Sequence, residues 1–152
     1  MNRIDIVLPA RVAFSLDFPL RVADLNYGGH LGNDRVLTLA QEVRVAWLAT
    51  HGLGELDVGG VGLIMTDAAV HFGGEGRYGM VVRGELAVGE VRTRAFELVH
   101  RFTDVGTGLE LARAVTRLCC FDYEARRLVS LPEPLRRALE AAAGPAPSPA
   151  RS

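Results

Sequence analysis

The stretch DLNYGGHLGND, residues 24–34, separates an alternating apolar segment from an amphipathic one. It contains two aspartates, two asparagines, one histidine and three glycines. Ordinary connections between secondary-structure elements use only one or two such turn residues. So much hydrogen-bonding capacity and backbone freedom at one junction indicates either an elaborate helix cap or the wall of a functional site.

The segments on either side of this loop define the first two elements. Arg11–Val22 alternates as a β-strand does, and Pro19 within it favours an edge strand or a bulge. From Asp34 to about His51 the apolar residues recur with a helical period, which predicts one long buried helix. Its apolar face consists of Val36, Leu39, Ala40, Val43, Ala46 and Trp47.

The rest of the chain is predicted to be mainly β structure. The predicted strands are 61–72, 80–91, 91–102, 109–121 and 127–131, and a short C-terminal helix follows at 132–144. The fold class is therefore α+β, with an antiparallel sheet of about five or six strands around one long central helix. We expect one domain at 1–143 and a disordered proline-rich tail at 144–152.

Composition excludes several classes of function. A net charge of −1 does not indicate the basic surface that nucleic-acid-binding proteins carry. The sequence has no lysine, which excludes catalysis through a lysine Schiff base. The histidines lack metal-ligand spacing, so neither a metal site nor a cofactor is expected. With no apolar run long enough for a membrane span and no clear signal peptide, the expected location is the cytoplasm. Cys119 and Cys120 are adjacent and are expected to be reduced.

One helix cannot cover both faces of a sheet of this size, and long sheet edges invite pairing between subunits. We therefore expect a homodimer or homotetramer in which a partner chain covers part of the second face. Glu75, in the turn at 73–79, is a candidate for contact with a neighbouring subunit.

The order of elements and the loop residues together resemble the hotdog-fold acyl-CoA thioesterases, of the 4-hydroxybenzoyl-CoA thioesterase-like branch. That family carries a pattern close to D-x-D-x-x-G-H-x-N-N at the start of its central helix and an E-x-R-like pair within it. The resemblance extends nearly to Ala143. The matching residues here are Asp24, Asn26, Gly29, His30, Gly32, Asn33, Glu42 and Arg44.

The second acidic position of the family pattern is the usual catalytic nucleophile or base, and here it is Asn26. An amide does not act as a base at neutral pH. If the chain hydrolyses thioesters, Asn26 would orient the water or bind the thioester carbonyl, and another group would activate the water.

The helix start provides one half of the required chemistry. Its first N–H groups lack intrahelical partners and carry a partial positive charge, so they would stabilise an oxyanion next to Gly29, Gly32 and Asn33. The alternative is that Asn33 or Asp34 simply caps these groups.

Three residues are candidates for the base. Glu42 is either a partly desolvated base or a solvent-facing partner of Arg35 or Thr38. His30 is either a neutral base beside the helix end or a structural histidine. Asp24 is either the base or an acceptor that organises the loop.

Two functions follow from these residues. The first is hydrolysis of an acyl-CoA or acyl-carrier-protein thioester, with Asn26, His30, Glu42 and Asp24 as catalytic candidates and Gly29, Gly32 and Asn33 binding the substrate. The second, which Asn26 favours, is a hotdog protein that binds acyl thioesters without hydrolysing them. A hotdog dehydratase would require a differently organised Asp/His pair.

Overall fold

Six strands and two helices follow one another in nearly the predicted order. The computed structural model describes residues 1–143, so the predicted tail at 144–152 lies outside the described residues. The elements are β1 (Phe14–Pro19), α1 (Arg35–Thr50), β2 (Gly62–Phe72), β3 (Val81–Val91), β4 (Ala95–Asp104), β5 (Glu110–Asp122), β6 (Arg127–Leu128) and α2 (Glu133–Ala143).

All the strands pair antiparallel in one sheet with the order β1-β3-β4-β5-β2, and β6 pairs with the end of β5. The predicted α+β class is confirmed. Strand β1 lies at an edge of the sheet. Pro19 has no N–H to donate, and an edge strand tolerates it because one side of such a strand has no neighbouring strand to bond. It is shorter than predicted, because residues Val22–Asp24 form a 3₁₀ turn in which the Asp24 carboxylate accepts the Arg21 N–H.

Helix α1 lies at the predicted position and has 16 residues. Five of the six residues predicted on its apolar face are buried, and Ala46 is partly exposed. The helix lies very close to the sheet at Gly84 of β3, where an added Cβ would lie 2.7 Å from Val43 Cγ2. Glycine is required at this position because any side chain would push the helix away from the strand.

The two faces of the sheet differ in chemistry. The helix-facing side carries apolar residues such as Leu86, Leu98 and Phe102, which belong to one core cluster with α1 and α2. The outer side carries cross-strand ion pairs: Asp17–Arg83, Glu85–Arg101 and Glu97–Arg117. Part of the outer side is covered by the chain's own N-terminal residues, since Arg113 Nη1 donates to the Ile6 carbonyl at 2.9 Å.

The adjacent cysteines point to opposite sides of β5, and both are free. Burial raises the pKa of the Cys120 thiol to about 12.

Of the helices in residues 1–143, neither has the length and apolarity needed to cross a membrane.

A single histidine lies inside the core. His100 on β4 is fully buried and stacks on Phe102, and neither of its ring nitrogens has a hydrogen-bond partner within the described residues. Burial, and secondly the charge of Arg44 on α1, lowers the pKa of His100 to about 3. His100 therefore stays neutral in the folded protein at every physiological pH.

This histidine makes stability depend on pH. Below the ordinary pKa of about 6.5 the unfolded chain binds a proton that folded His100 does not, so stability falls as the pH drops from 6.5 towards 3. Between about pH 7.5 and about pH 5 the contribution is on the order of 2 kcal/mol. We expect His100→Leu to lose this part of the pH dependence in urea unfolding. Since the other titrating groups are unchanged, parallel curves for the two proteins would contradict the assignment.

Candidate active site

The loop at 24–34 is organised around Asn26. The Asn26 Oδ1 accepts the backbone N–H of Gly28 at 2.9 Å and that of His30 at 3.3 Å. The Asn26 N–H donates to the His30 carbonyl at 2.8 Å, and the Gly29 N–H donates to the Asn26 carbonyl at 3.0 Å. Gly29 has a φ of +79°, a backbone conformation that favours glycine. The amide oxygen of Asn26 therefore folds the loop.

This loop is fixed to the turn at 73–79 that joins β2 and β3. The Leu31 N–H donates to the Gly76 carbonyl at 2.8 Å, and His30 and Arg77 form an antiparallel bridge. Gly76 is required here because an added Cβ would lie 2.9 Å from side-chain atoms of Leu20 and Leu31. The two segments, distant in sequence, thus form one wall.

Helix α1 opens at this wall without a side-chain cap. Asp34 occupies the N-cap position, but neither it nor Asn33 donates or accepts a capping hydrogen bond there. Gly32 connects the loop to the helix, since its N–H donates to the Asp24 carbonyl and its own carbonyl accepts the Arg35 N–H. Within residues 1–143 the N–H groups of the first turn therefore have no side-chain acceptor, and the helix dipole gives this end a partial positive charge.

His30 lies on the exposed side of the wall with about a third of its side chain accessible. Its Nε2 lies 3.3 Å from Glu75 Oε2, and Arg77 Nη2 lies 3.1 Å from the same carboxylate oxygen. Glu75 thus contacts His30 of its own chain. Sequence reasoning missed this contact because it depends on the pairing of two distant loops.

Asp24 lies beneath the loop and is almost completely buried. Its carboxylate accepts the Arg21 backbone N–H at 2.8 Å and the Arg21 guanidinium at 3.3 Å. Burial alone would raise the pKa of Asp24, but the hydrogen bonds from Arg21 outweigh it and hold the pKa below its ordinary value. These contacts make Asp24 an acceptor that organises the loop.

Glu42 lies roughly 10 Å along α1 from its first residue, at 1.5 Å of rise per residue. It is exposed, and it lines a cavity of about 260 Å³ on the β1 side of the helix. The partners proposed from the sequence do not pair with it, since Arg35 lies 3.8 Å from Asp34 instead. The other residues lining this cavity are Leu16, Phe18, Pro19, Arg21, Asp24 and Leu39.

A second cavity, of about 330 Å³, lies on the β2 side of α1. It begins at the first helical turn, at Leu37 and Thr38, and ends at a partly buried ion pair in which Arg44 Nε donates to Glu55 Oε1 at 2.7 Å. Gln41 Nε2 donates to the other Glu55 oxygen at 2.9 Å. Arg44 is one of the residues that match the family pattern, but Glu55, in the connection after α1, was not expected from the sequence.

Solved structures of other proteins share this fold. A 1,4-dihydroxy-2-naphthoyl-CoA thioesterase from Synechocystis is 22% identical with a TM-score of 0.76, covering 83% of this chain and 94% of that one. The probable thioesterase YbaW from Escherichia coli is 16% identical with a TM-score of 0.68, covering 86% and 99%. The gentisyl-coenzyme A thioesterase BH1999 is 17% identical with a TM-score of 0.73, covering 83% and 99%.

No curated protein matches the sequence significantly. The family model of the thioesterase-like superfamily matches residues 20–139, which include the loop, α1 and the sheet from β2 to β6. The chain therefore belongs to the thioesterase-like superfamily and has the hotdog fold that its sequence pattern predicts.

Proposed function

We propose that this protein hydrolyses the thioester of an acyl-CoA or of an acyl carrier protein, within one domain spanning residues 1–143. The observation that carries the proposal is the uncapped N-terminus of α1, which opens beside the Asn26–His30 loop. Membership of the thioesterase-like superfamily supports the reaction class.

In the proposed reaction the thioester carbonyl lies beside Gly32, against the backbone N–H groups of Asn33 and of the first turn of α1. A base takes a proton from water as the water oxygen bonds to the carbonyl carbon, and negative charge develops on the carbonyl oxygen beside the helix end. The carbon–sulfur bond then breaks, and the thiolate receives the proton from the base. The products are a free acid and a thiol.

We assign the base to His30. It belongs to the wall at which the helix opens, whereas Glu42 lies roughly 10 Å farther along the helix. Asp24 is the least suitable of the three, because a carboxylate with a lowered pKa that is hydrogen-bonded to Arg21 is a weak base. Asn26 has an unused amide nitrogen that would orient the water or the carbonyl.

The acyl group is proposed to occupy the cavity on the β2 side of α1. This cavity begins at the first turn of the helix, where the carbonyl would be held, and Met65 of the edge strand β2 lines it. The cavity contains both apolar residues and the Arg44–Glu55 pair, so it offers hydrogen bonds as well as apolar contact.

A non-catalytic role in binding acyl thioesters is the alternative. It is favoured by Asn26, whose side-chain oxygen is engaged by the N–H groups of Gly28 and His30 and which supplies no carboxylate. Tight binding of an acyl-CoA without release of thiol above background would support this alternative.

Thiol release across a panel of acyl-CoA and acyl-carrier-protein substrates tests the proposed function. The wild-type protein should hydrolyse at least one of them, and His30→Ala should lower kcat by about 10²–10⁴, the usual contribution of a general base. Glu42→Gln and Asp24→Asn should each keep more than about half of the wild-type rate, because neither residue is the base and losing a base would lower the rate far more than twofold.

Asn26 provides the matched pair of variants for the same assay. Asn26→Asp keeps an oxygen that accepts the N–H groups of Gly28 and His30, and its carboxylate should remain ionised beside the positive helix end, so activity should hold or rise. Asn26→Ala removes the acceptor and should lose activity. Full activity in His30→Ala, together with loss in Glu42→Gln, would overturn the assignment of the base.

We also propose that the protein is a homo-oligomer, with a dimer formed at the free edge of β2. Among the described residues this strand pairs only with β5, and Met65 at its outer edge is about half exposed. Light scattering at micromolar concentration should give a mass of at least twice 16.4 kDa. A monomeric mass would contradict the proposal.

A further inference from the structure

We infer that Glu75 is a positioning residue for His30 and supplies the carboxylate that the substitution at position 26 removes from the loop. The inference rests on the proposed hydrolysis. Its geometric basis is the 3.3 Å contact between His30 Nε2 and Glu75 Oε2 across the two paired loops.

The carboxylates of the 24–34 loop itself are not placed to assist His30. Asp24 is buried under the loop and engaged by Arg21. Asp34 is largely exposed and lies 3.8 Å from Arg35 at the helix opening. Within the described part of the chain, Glu75 is the acidic residue whose carboxylate lies within 4 Å of the His30 ring.

The backbone holds the two side chains opposite each other. The Leu31 N–H bonds to the Gly76 carbonyl, and His30 and Arg77 pair in an antiparallel bridge, so the residues on either side of the contact are fixed. Arg77 Nη2 lies 3.1 Å from the same oxygen of Glu75 and holds the carboxylate in place. The fold therefore fixes the two backbone segments that carry the pair, while the side chains themselves lie at the surface.

This arrangement has a direct consequence for the proton transfer. With Nε2 turned towards the carboxylate, Nδ1 is the nitrogen that takes the proton from water and later returns it to the departing thiolate. Glu75 stabilises the imidazolium that exists between these two events, as a carboxylate does beside other catalytic histidines. The carboxylate itself gains and loses no proton.

The variant Glu75→Gln tests the inference, because it keeps the shape of the side chain and removes its charge. Both side chains are partly exposed, so the pair contributes little to stability and the variant should fold normally. We expect kcat to fall roughly tenfold, a part of the 10²–10⁴ that a general base supplies, with little change in KM.

Glu90→Gln is the matched control. Glu90 is an exposed residue near the end of β3 and pairs with Arg92 two residues later, at 3.1 Å, as Glu75 pairs with Arg77. This control should leave both kcat and KM unchanged. The charged groups of the wall, Glu75, Arg77, Asp34 and Arg35, are otherwise identical in the control.

The variant Glu75→Asp, which keeps the charge, gives a second readout. It should keep more of the wild-type kcat than Glu75→Gln does, with KM little changed in both. With an active wild-type protein, an unchanged kcat in Glu75→Gln would overturn the role of Glu75 and leave the proposed hydrolysis standing. Failure of the wild-type protein to release thiol from any substrate would overturn the proposed function, and the catalytic role of Glu75 with it.

Discussion

The hydrogen bond from the Leu31 N–H to the Gly76 carbonyl is the contact on which the arrangement of the site depends. It joins the loop before α1 to the turn between β2 and β3, and it is made in a place where an added Cβ on residue 76 would collide with Leu20 and Leu31. Through it the side chains of His30 and Glu75 come into contact, although they are far apart in sequence. The glycine makes this close approach possible, and the rest of the wall is built around it.

The same wall explains why the N-terminus of α1 stays available to a ligand. A helix start usually receives a side-chain cap, but here Asp34 makes no capping hydrogen bond, while Asn26 uses its amide oxygen to fold the loop. The polar residues of the loop are thus divided between two tasks. Asn26 and Asp24 hold the backbone in shape, while His30 is about a third accessible and the start of α1 carries no side-chain cap.

Periodicity was sufficient to predict most of the fold. The apolar residues of α1 and the alternation of β3 depend on local sequence, and both elements occur where these patterns place them. The end of β1 could not be predicted, because it is set by the Asp24 carboxylate accepting the Arg21 N–H within a 3₁₀ turn. Pairing with Arg35 was one of the alternatives for Glu42, and Arg35 lies beside Asp34 instead. Glu55 and Glu75 were missed as partners of Arg44 and His30, because each pair is made between separate segments.

The central claim is that the open end of α1 polarises a thioester carbonyl. The most direct test is the infrared carbonyl stretch of a ¹³C-labelled acyl-CoA bound to His30→Ala, the variant expected to hold its substrate without rapid turnover. Hydrogen bonds from the first-turn N–H groups and the partial positive charge of the helix end should weaken the carbonyl double bond. The stretch should then lie at lower wavenumber in the complex than in water. A stretch at the same or higher wavenumber in the bound thioester would contradict the account.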